Sequence, residues 1–151
     1  MPLHHVAIAV RDIEESIRFY RDAIGLSIFQ DEAISGPDVD ASLMVKDGRL
    51  RMVVLADEAG NMIELLGWEN PSVRERPEEY KNFTSVGLVE VAFMVSDLKQ
   101  AEDRLSKCGY SFRSPVWSFG SDLEAYGGAH ADIRYVIDPN GVQVELMQVV
   151  I

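Results

Sequence analysis

From Val6 to Val10 the chain alternates, with Val6, Ile8 and Val10 interleaved with Ala7 and Ala9, and His5 in phase with the alanines. A period of two predicts a strand whose β-branched face packs on a helix, while the face carrying His5 lines a space. At Asp12 the period changes. Ile13, Ile17, Tyr20 and Ile24 recur at helical spacing, with Asp12 placed to cap the first turn and Gly25 to end the last. From Leu88 the arrangement is written again as L-V-E-V-A-F-M-V-S-D-L-K-Q-A-E-D-R-L-S-K-C-G-Y, with the alternation, the Asp cap, the helix length and the closing Gly all kept. One position changes character: His5 is answered by Glu90.

The remainder of each half continues in strands. Leu26, Ile28 and Phe29 mark one, and the polar run Asp31 to Asp40 is expected as a rim loop. Ala41–Lys46 and Leu50–Leu55 are expected as a hairpin about Asp47 and Gly48, and M-I-E-L-L-G-W closes the half after a turn at Asp57 to Gly60. The half reads β-α-β-β-β. Pro71, Pro77 and a charge cluster then interrupt the pattern, which predicts a solvated crossing between modules. The second half repeats β-α-β-β-β, with Gly120, Gly127 and Gly128 loosening the loop before a final hairpin.

The ends of the halves align without a gap, V-L-A-D-E-A-G-N-M-I-E-L-L on Y-V-I-D-P-N-G-V-Q-V-E-L-M, placing Asp57 on Asp138, Gly60 on Gly141 and Glu64 on Glu145. Such a repeat means two copies of one supersecondary unit, neither able to bury its sheet face alone. The expected fold is α+β: tandem βαβββ modules over residues 1–68 and 87–151, joined by a linker over 69–86. They should pair about a pseudo-twofold axis around a cup. D-P-N-G suits a type I turn with a glycine bulge, which sets Asp138 against Val142 and hence Tyr135 against Glu145.

Composition narrows the partners. With 151 residues, 47% of them hydrophobic, the chain can bury a core unaided, and its net charge of −11 with scattered Lys and Arg argues against nucleic acid or an anionic membrane. A single cysteine, Cys108, rules out an intrachain disulfide framework and fits a reducing compartment. No run reaches membrane-spanning length and the N-terminus lacks a signal-peptide stretch, so a cytoplasmic location is expected.

Glu64 and Glu145 each interrupt an otherwise apolar strand, and a buried carboxylate needs a partner, a cation or a proton. Alternation turns Met62, Glu64 and Leu66, like Gln143, Glu145 and Met147, towards the cup. H-V-A-I-A-V-R-D, the helical S-I-R-F-Y, the Gly-Leu pair and D-P-N-G followed by Glu-Leu together resemble the vicinal oxygen chelate superfamily. Glyoxalase I, methylmalonyl-CoA epimerase, extradiol dioxygenases, fosfomycin-resistance enzymes and bleomycin-resistance proteins belong to it.

The resemblance implies metal ligands on the first and last strand of each module, which fall on His5, Glu64, Glu90 and Glu145. Glu90 stands where the family usually has histidine. One histidine with three carboxylates favours a hard or intermediate divalent ion such as Mn²⁺, Fe²⁺ or Mg²⁺, with Ni²⁺ and Zn²⁺ the other candidates. The activity implied is a metal-dependent isomerase or lyase acting on a small oxygen-rich substrate through a metal-stabilised enediolate, with Glu90 as general base. The alternative is a non-catalytic protein that sequesters a small molecule, as bleomycin-resistance relatives do. A dioxygenase fits less well, because ring cleavage in this family uses two histidines and one carboxylate. His4 should point away from His5. Tyr135 is a second candidate for the chemistry, while Trp117, Phe119 and loop residue His130 are candidates for the substrate wall. Relatives also imply a homodimer.

Overall fold

In a computed structural model, which describes residues 2–120 and 130–150, the chain divides into two compact units, Met1–Glu75 and Arg76–Ile151. Each holds one four-stranded sheet. Gly127 and Gly128 lie outside the described residues.

The first unit runs β1 (His5–Val10), α1 (Ile13–Arg18), β2 (Ser27–Ser35), α2 (Pro37–Leu43), β3 (Arg49–Ala56) and β4 (Met62–Asn70), with sheet order β1-β4-β3-β2. β1 is parallel to β4 and the other pairs are antiparallel. The Asp12 carboxylate accepts from the Glu15 amide at 2.9 Å and caps α1. The helix continues as a π-helical turn over Phe19–Ile24 and ends at Gly25, whose φ of 103° is left-handed. Ile8 and Val10 turn to this helix and are buried with Phe19, Tyr20, Leu55 and Leu65, while His5, Ala7 and Ala9 are exposed.

The expected hairpin gives way to a different arrangement. The polar stretch after Phe29 is not a loop but the continuation of β2, and this strand, rather than Ala41–Lys46, pairs with β3. It is polar because it is an edge strand. Gly36 turns the chain at φ 114°, Pro37 opens α2 with its φ preset for a helix, and Met44 ends it in the left-handed region. Asp40 then accepts from the Asp47 and Gly48 amides at 2.9 and 2.7 Å, tying α2 to the turn into β3.

The second unit runs β5 (Glu90–Met94), α3 (Leu98–Lys107), β6 (Trp117–Phe119), β7 (His130–Ile137) and β8 (Gln143–Val150), with sheet order β5-β8-β7-β6. Asp97 caps α3 by accepting from the Lys99 and Gln100 amides. Leu98, Ala101 and Leu105 of the helix are buried along with Val144 and Leu146 of the sheet. The turns before β4 and β8 are the same object. Asp57 and Asp138 each donate their amide to the residue four along, and each accepts through Oδ1 from the amides two and four along. Gly60 and Gly141 take φ values of 86° and 85°, which glycine adopts without strain.

The segment ahead of β5 is more than the solvated crossing its composition suggests. A short 3₁₀ turn, Glu78–Tyr80, is followed by Asn82, which accepts from the Thr84 amide and hydroxyl and donates to the Glu79 carbonyl. This closed strap lies on the second unit's own sheet, because the Gln143 amide donates to the Lys81 carbonyl at 3.0 Å and the Phe83 ring meets Tyr135. Among the described residues no helix is long and apolar enough to cross a membrane.

Candidate functional site

In the first unit, β1 and β4 pair so that Ala7 lies beside Glu64, one pleat along from His5. His5 Nε2 comes to 3.5 Å from Glu64 Oε2, with Glu64 half-buried and His5 exposed. Across from Glu64 on β3 stands Val54, which offers no hydrogen bond. His4 departs from expectation. It precedes the first residue of β1, so the strand's alternation does not hold it, and its Nδ1 sits 2.9 Å from Nδ1 of His5. One ring donates to the other, which orients His5 and leaves Nε2 facing Glu64.

The second unit uses the same positions for an acidic cluster. Ala92 lies beside Glu145, Glu90 one pleat along beside Gln143, and Tyr135 directly across from Glu145, the register expected from D-P-N-G. The Tyr135 hydroxyl donates to Glu145 Oε2 at 2.6 Å. Burial, then the hydrogen bond and charge of Glu145, push the phenol's pKa up. Burial and then the negative charge of Glu145 raise the Glu90 carboxyl above the usual range, against a smaller lowering by a hydrogen bond with Tyr135. Glu90 Oε2 is buried and has no hydrogen-bond partner among the described residues. The Phe83 ring packs edge-on against Tyr135 at 5.1 Å and fixes the phenol from the strap.

Trp117 and Phe119 pair with Ile133 and Ala131, which share the sheet face of Tyr135 and Glu145, and their rings lie 5.4 Å apart. His130 is placed otherwise than expected. It is the first residue of β7 rather than a loop residue, and it falls in register with Asp132 and Arg134. That face is the helical one, since Arg134 donates to Glu102 of α3 at 2.9 Å, and His130 Nε2 lies 3.6 Å from Asp132. His130 therefore points away from Glu145.

Within its unit, then, the structure joins His5 to Glu64, and Glu90 to Tyr135 and Glu145. Among the described residues no three His, Cys, Asp or Glu side chains gather as a metal cluster. Two contributors escaped the sequence reading: Phe83 and Arg113, whose guanidinium donates to Gln143 Oε1 at 2.8 Å. Phe83 is one of two aromatics, with Tyr80, in a charged segment, which was its only signal, and no periodic pattern marks Arg113.

A family model matches residues 2–146, that of the Glyoxalase/Bleomycin resistance protein/Dioxygenase superfamily. The chain belongs to this superfamily. Among curated relatives, this glyoxalase-superfamily chain is 27% identical over 154 residues to the lactoylglutathione lyase-like protein terB of Aspergillus terreus, covering 96% of itself and 74% of that protein. It is 32% identical over 107 residues to an iron-dependent extradiol dioxygenase of Rhodococcus jostii, covering 70% of itself and 33% of the dioxygenase, and so spans about a third of that enzyme. Among solved structures, a glyoxalase family protein from Bacillus cereus shares the fold with a TM-score of 0.83 at 18% identity, over 98% of this chain and 93% of that one.

Proposed function

We propose that this superfamily member is a divalent-metal-dependent isomerase or lyase that removes a proton from a carbon beside a carbonyl in a small oxygen-rich substrate. The observation that carries the reading is the Glu90–Tyr135–Glu145 group, where a carboxyl with raised pKa keeps a buried oxygen without a donor beside a second carboxylate. Such a group is short of positive charge, and a divalent cation fits it. The ligands proposed are His5, Glu64, Glu90 and Glu145. When bound, the ion supplies Lewis-acid stabilisation of negative charge on a substrate oxygen.

The protein's own residues do the rest. Tyr135 occupies one oxygen of Glu145 and fixes that carboxylate's orientation, leaving its second oxygen available. His4 does the same for His5 through the ring nitrogen remote from Glu64. Glu90, lifted towards neutrality, is matched to taking a proton from carbon and returning it.

The test is exchange of the substrate's α-proton for deuterium, over a panel of 2-hydroxy carbonyl compounds and 2-oxo acids, with and without Mn²⁺ or Ni²⁺. Metal-dependent exchange that disappears in Glu90→Gln is expected. No exchange with any compound, together with no metal bound by calorimetry, removes the reading. The pair of exposed Trp117 and half-buried Phe119 on the same sheet face favours a second reading, sequestration of a small molecule. Tight ligand binding without metal or exchange would establish it. A homodimer is part of the same proposal, and a monomer in sedimentation at tens of micromolar, an order-of-magnitude working concentration, would exclude it.

A further inference from the structure

We infer that Arg113 is an anion anchor on the second module, built to take a carboxylate or phosphate group of the ligand. Its main-chain amide donates to the Tyr135 carbonyl at 2.8 Å, and the adjacent Ser114 hydroxyl accepts from the Tyr135 amide at 3.0 Å, so the loop is fastened to the edge of β7. From there the side chain reaches Gln143 Oε1 at 2.8 Å. Gln143 is a prepared acceptor: it is 2% exposed, and its amide nitrogen is already committed to the Lys81 carbonyl. The guanidinium is thus aimed by a neutral group, and among the described residues no carboxylate pairs with it. Arg11, Arg21, Arg51 and Arg134, by contrast, are each neutralised by Glu or Asp. In a chain of net charge −11 an arginine left without an acid, open to solvent and held by a buried amide has donors to spare for an oxyanion, which its planar fork fits.

The location gives the anchor its use. Gln143 shares a face with Glu145, lies directly beside Glu90, and stands about 7 Å along the strand from Glu145, the length of two strand residues. Resting on the proposed proton abstraction, the substrate class is an oxygen-rich acid of at least three or four carbons, its anionic end on Arg113 and its reacting carbon at Glu90.

The test reads the anchor apart from turnover. In the metal-free protein, the Nε–Hε signals of the arginines are followed by NMR during titration with sodium propionate and, separately, sodium phosphate. A saturable shift confined to one arginine signal is expected, weakened by added NaCl, and Arg113→Gln should remove that signal and leave no saturable shift at any other arginine. Gln143→Glu, which gives the guanidinium an acid of its own, should suppress the shift with arginine still in place. Saturation by propionate alone or by phosphate alone supports the anchor and identifies the oxyanion. No saturable shift, or one that persists at another arginine in Arg113→Gln, overturns it. Because no metal or turnover enters the measurement, an anchor that saturates in a protein with no metal-dependent exchange would overturn the enzyme reading alone.

Discussion

In the first module Glu64 has a histidine at 3.5 Å and a valine across the sheet, whereas in the second Glu145 has a tyrosine at 2.6 Å and a second carboxylate alongside. The two sheets share one strand order and the same turn, although the first unit adds α2 between β2 and β3. The cores differ as well. Phe19 and Tyr20 are fully buried in the first module, while in the second the largest fully buried apolar side chains among the described residues are Leu105 and Leu146. The half with the milder polar pair has the bulkier interior, and the half with the lighter interior carries like charges in partial burial. In proteins generally, groups that oppose folding persist at functional sites, and stability has to come from elsewhere in the chain.

The sharpest way to break the comparison is at the interior. Leu65→Ala, at a fully buried position in the first module, is expected to cost about 2–5 kcal/mol in urea unfolding, as cavity-forming substitutions do. A loss under about 1 kcal/mol would mean this core relaxes freely and is not the stabilising half.

Tyr135→Phe makes the second module resemble the first, since it leaves Glu145, like Glu64, without a donor across the sheet. Mn²⁺ affinity by calorimetry should fall about ten- to a hundredfold, the range for loss of an outer hydrogen bond to a ligand, with the melting temperature of the apo protein little changed. An unaltered affinity would show that Tyr135 does not orient Glu145.

The smallest effect is the most specific. A carboxyl raised by folding keeps its proton where the unfolded chain has lost it, so its contribution is full below the ordinary glutamate value of about 4.3 and is lost as pH rises through the raised value. Asp31, Asp57 and Glu102 are lowered, so their contribution is present above the ordinary carboxylate range and is lost as pH falls through their depressed values. The two sets therefore act in different pH windows. Glu90→Gln should flatten the decline in apo stability as pH rises above the ordinary glutamate range and leave the acid limb in place, so that the variant gains on the wild type towards neutral pH. Glu90→His should leave apo stability level or higher and shift metal preference towards Zn²⁺, Ni²⁺ or Fe²⁺ over Mg²⁺ or Mn²⁺. If the wild-type and Glu90→Gln curves run parallel across that window, Glu90 is not strained by Glu145.

Much of this is legible in the sequence. Alternation placed His5, Glu64, Glu90 and Glu145 on the open faces, because a two-residue period in a half-buried strand has one solution. D-P-N-G gave the pairing of Tyr135 with Glu145, because the hydrogen bonds of a turn dictate register. The stretch from Asp31 to Lys46 misled. An edge strand carries polar residues as a loop does, and a helix of seven residues opened by Gly36-Pro37 shows too little periodicity to outweigh a hairpin motif. The strap and Arg113 were illegible for another reason: contacts made by one side chain reaching over a neighbouring strand leave no repeat in the sequence.

The shared turn has an evolutionary consequence. Because Asp57 and Asp138 fix register through the main chain, the residue seven positions beyond each is delivered to the same address whatever its chemistry, and so is its cross-strand neighbour. A duplicated module can accept a valine in one copy and a tyrosine in the other with no change of backbone. Lengthening either turn by one residue would do the opposite, keeping every side chain and parting the pair that now meets.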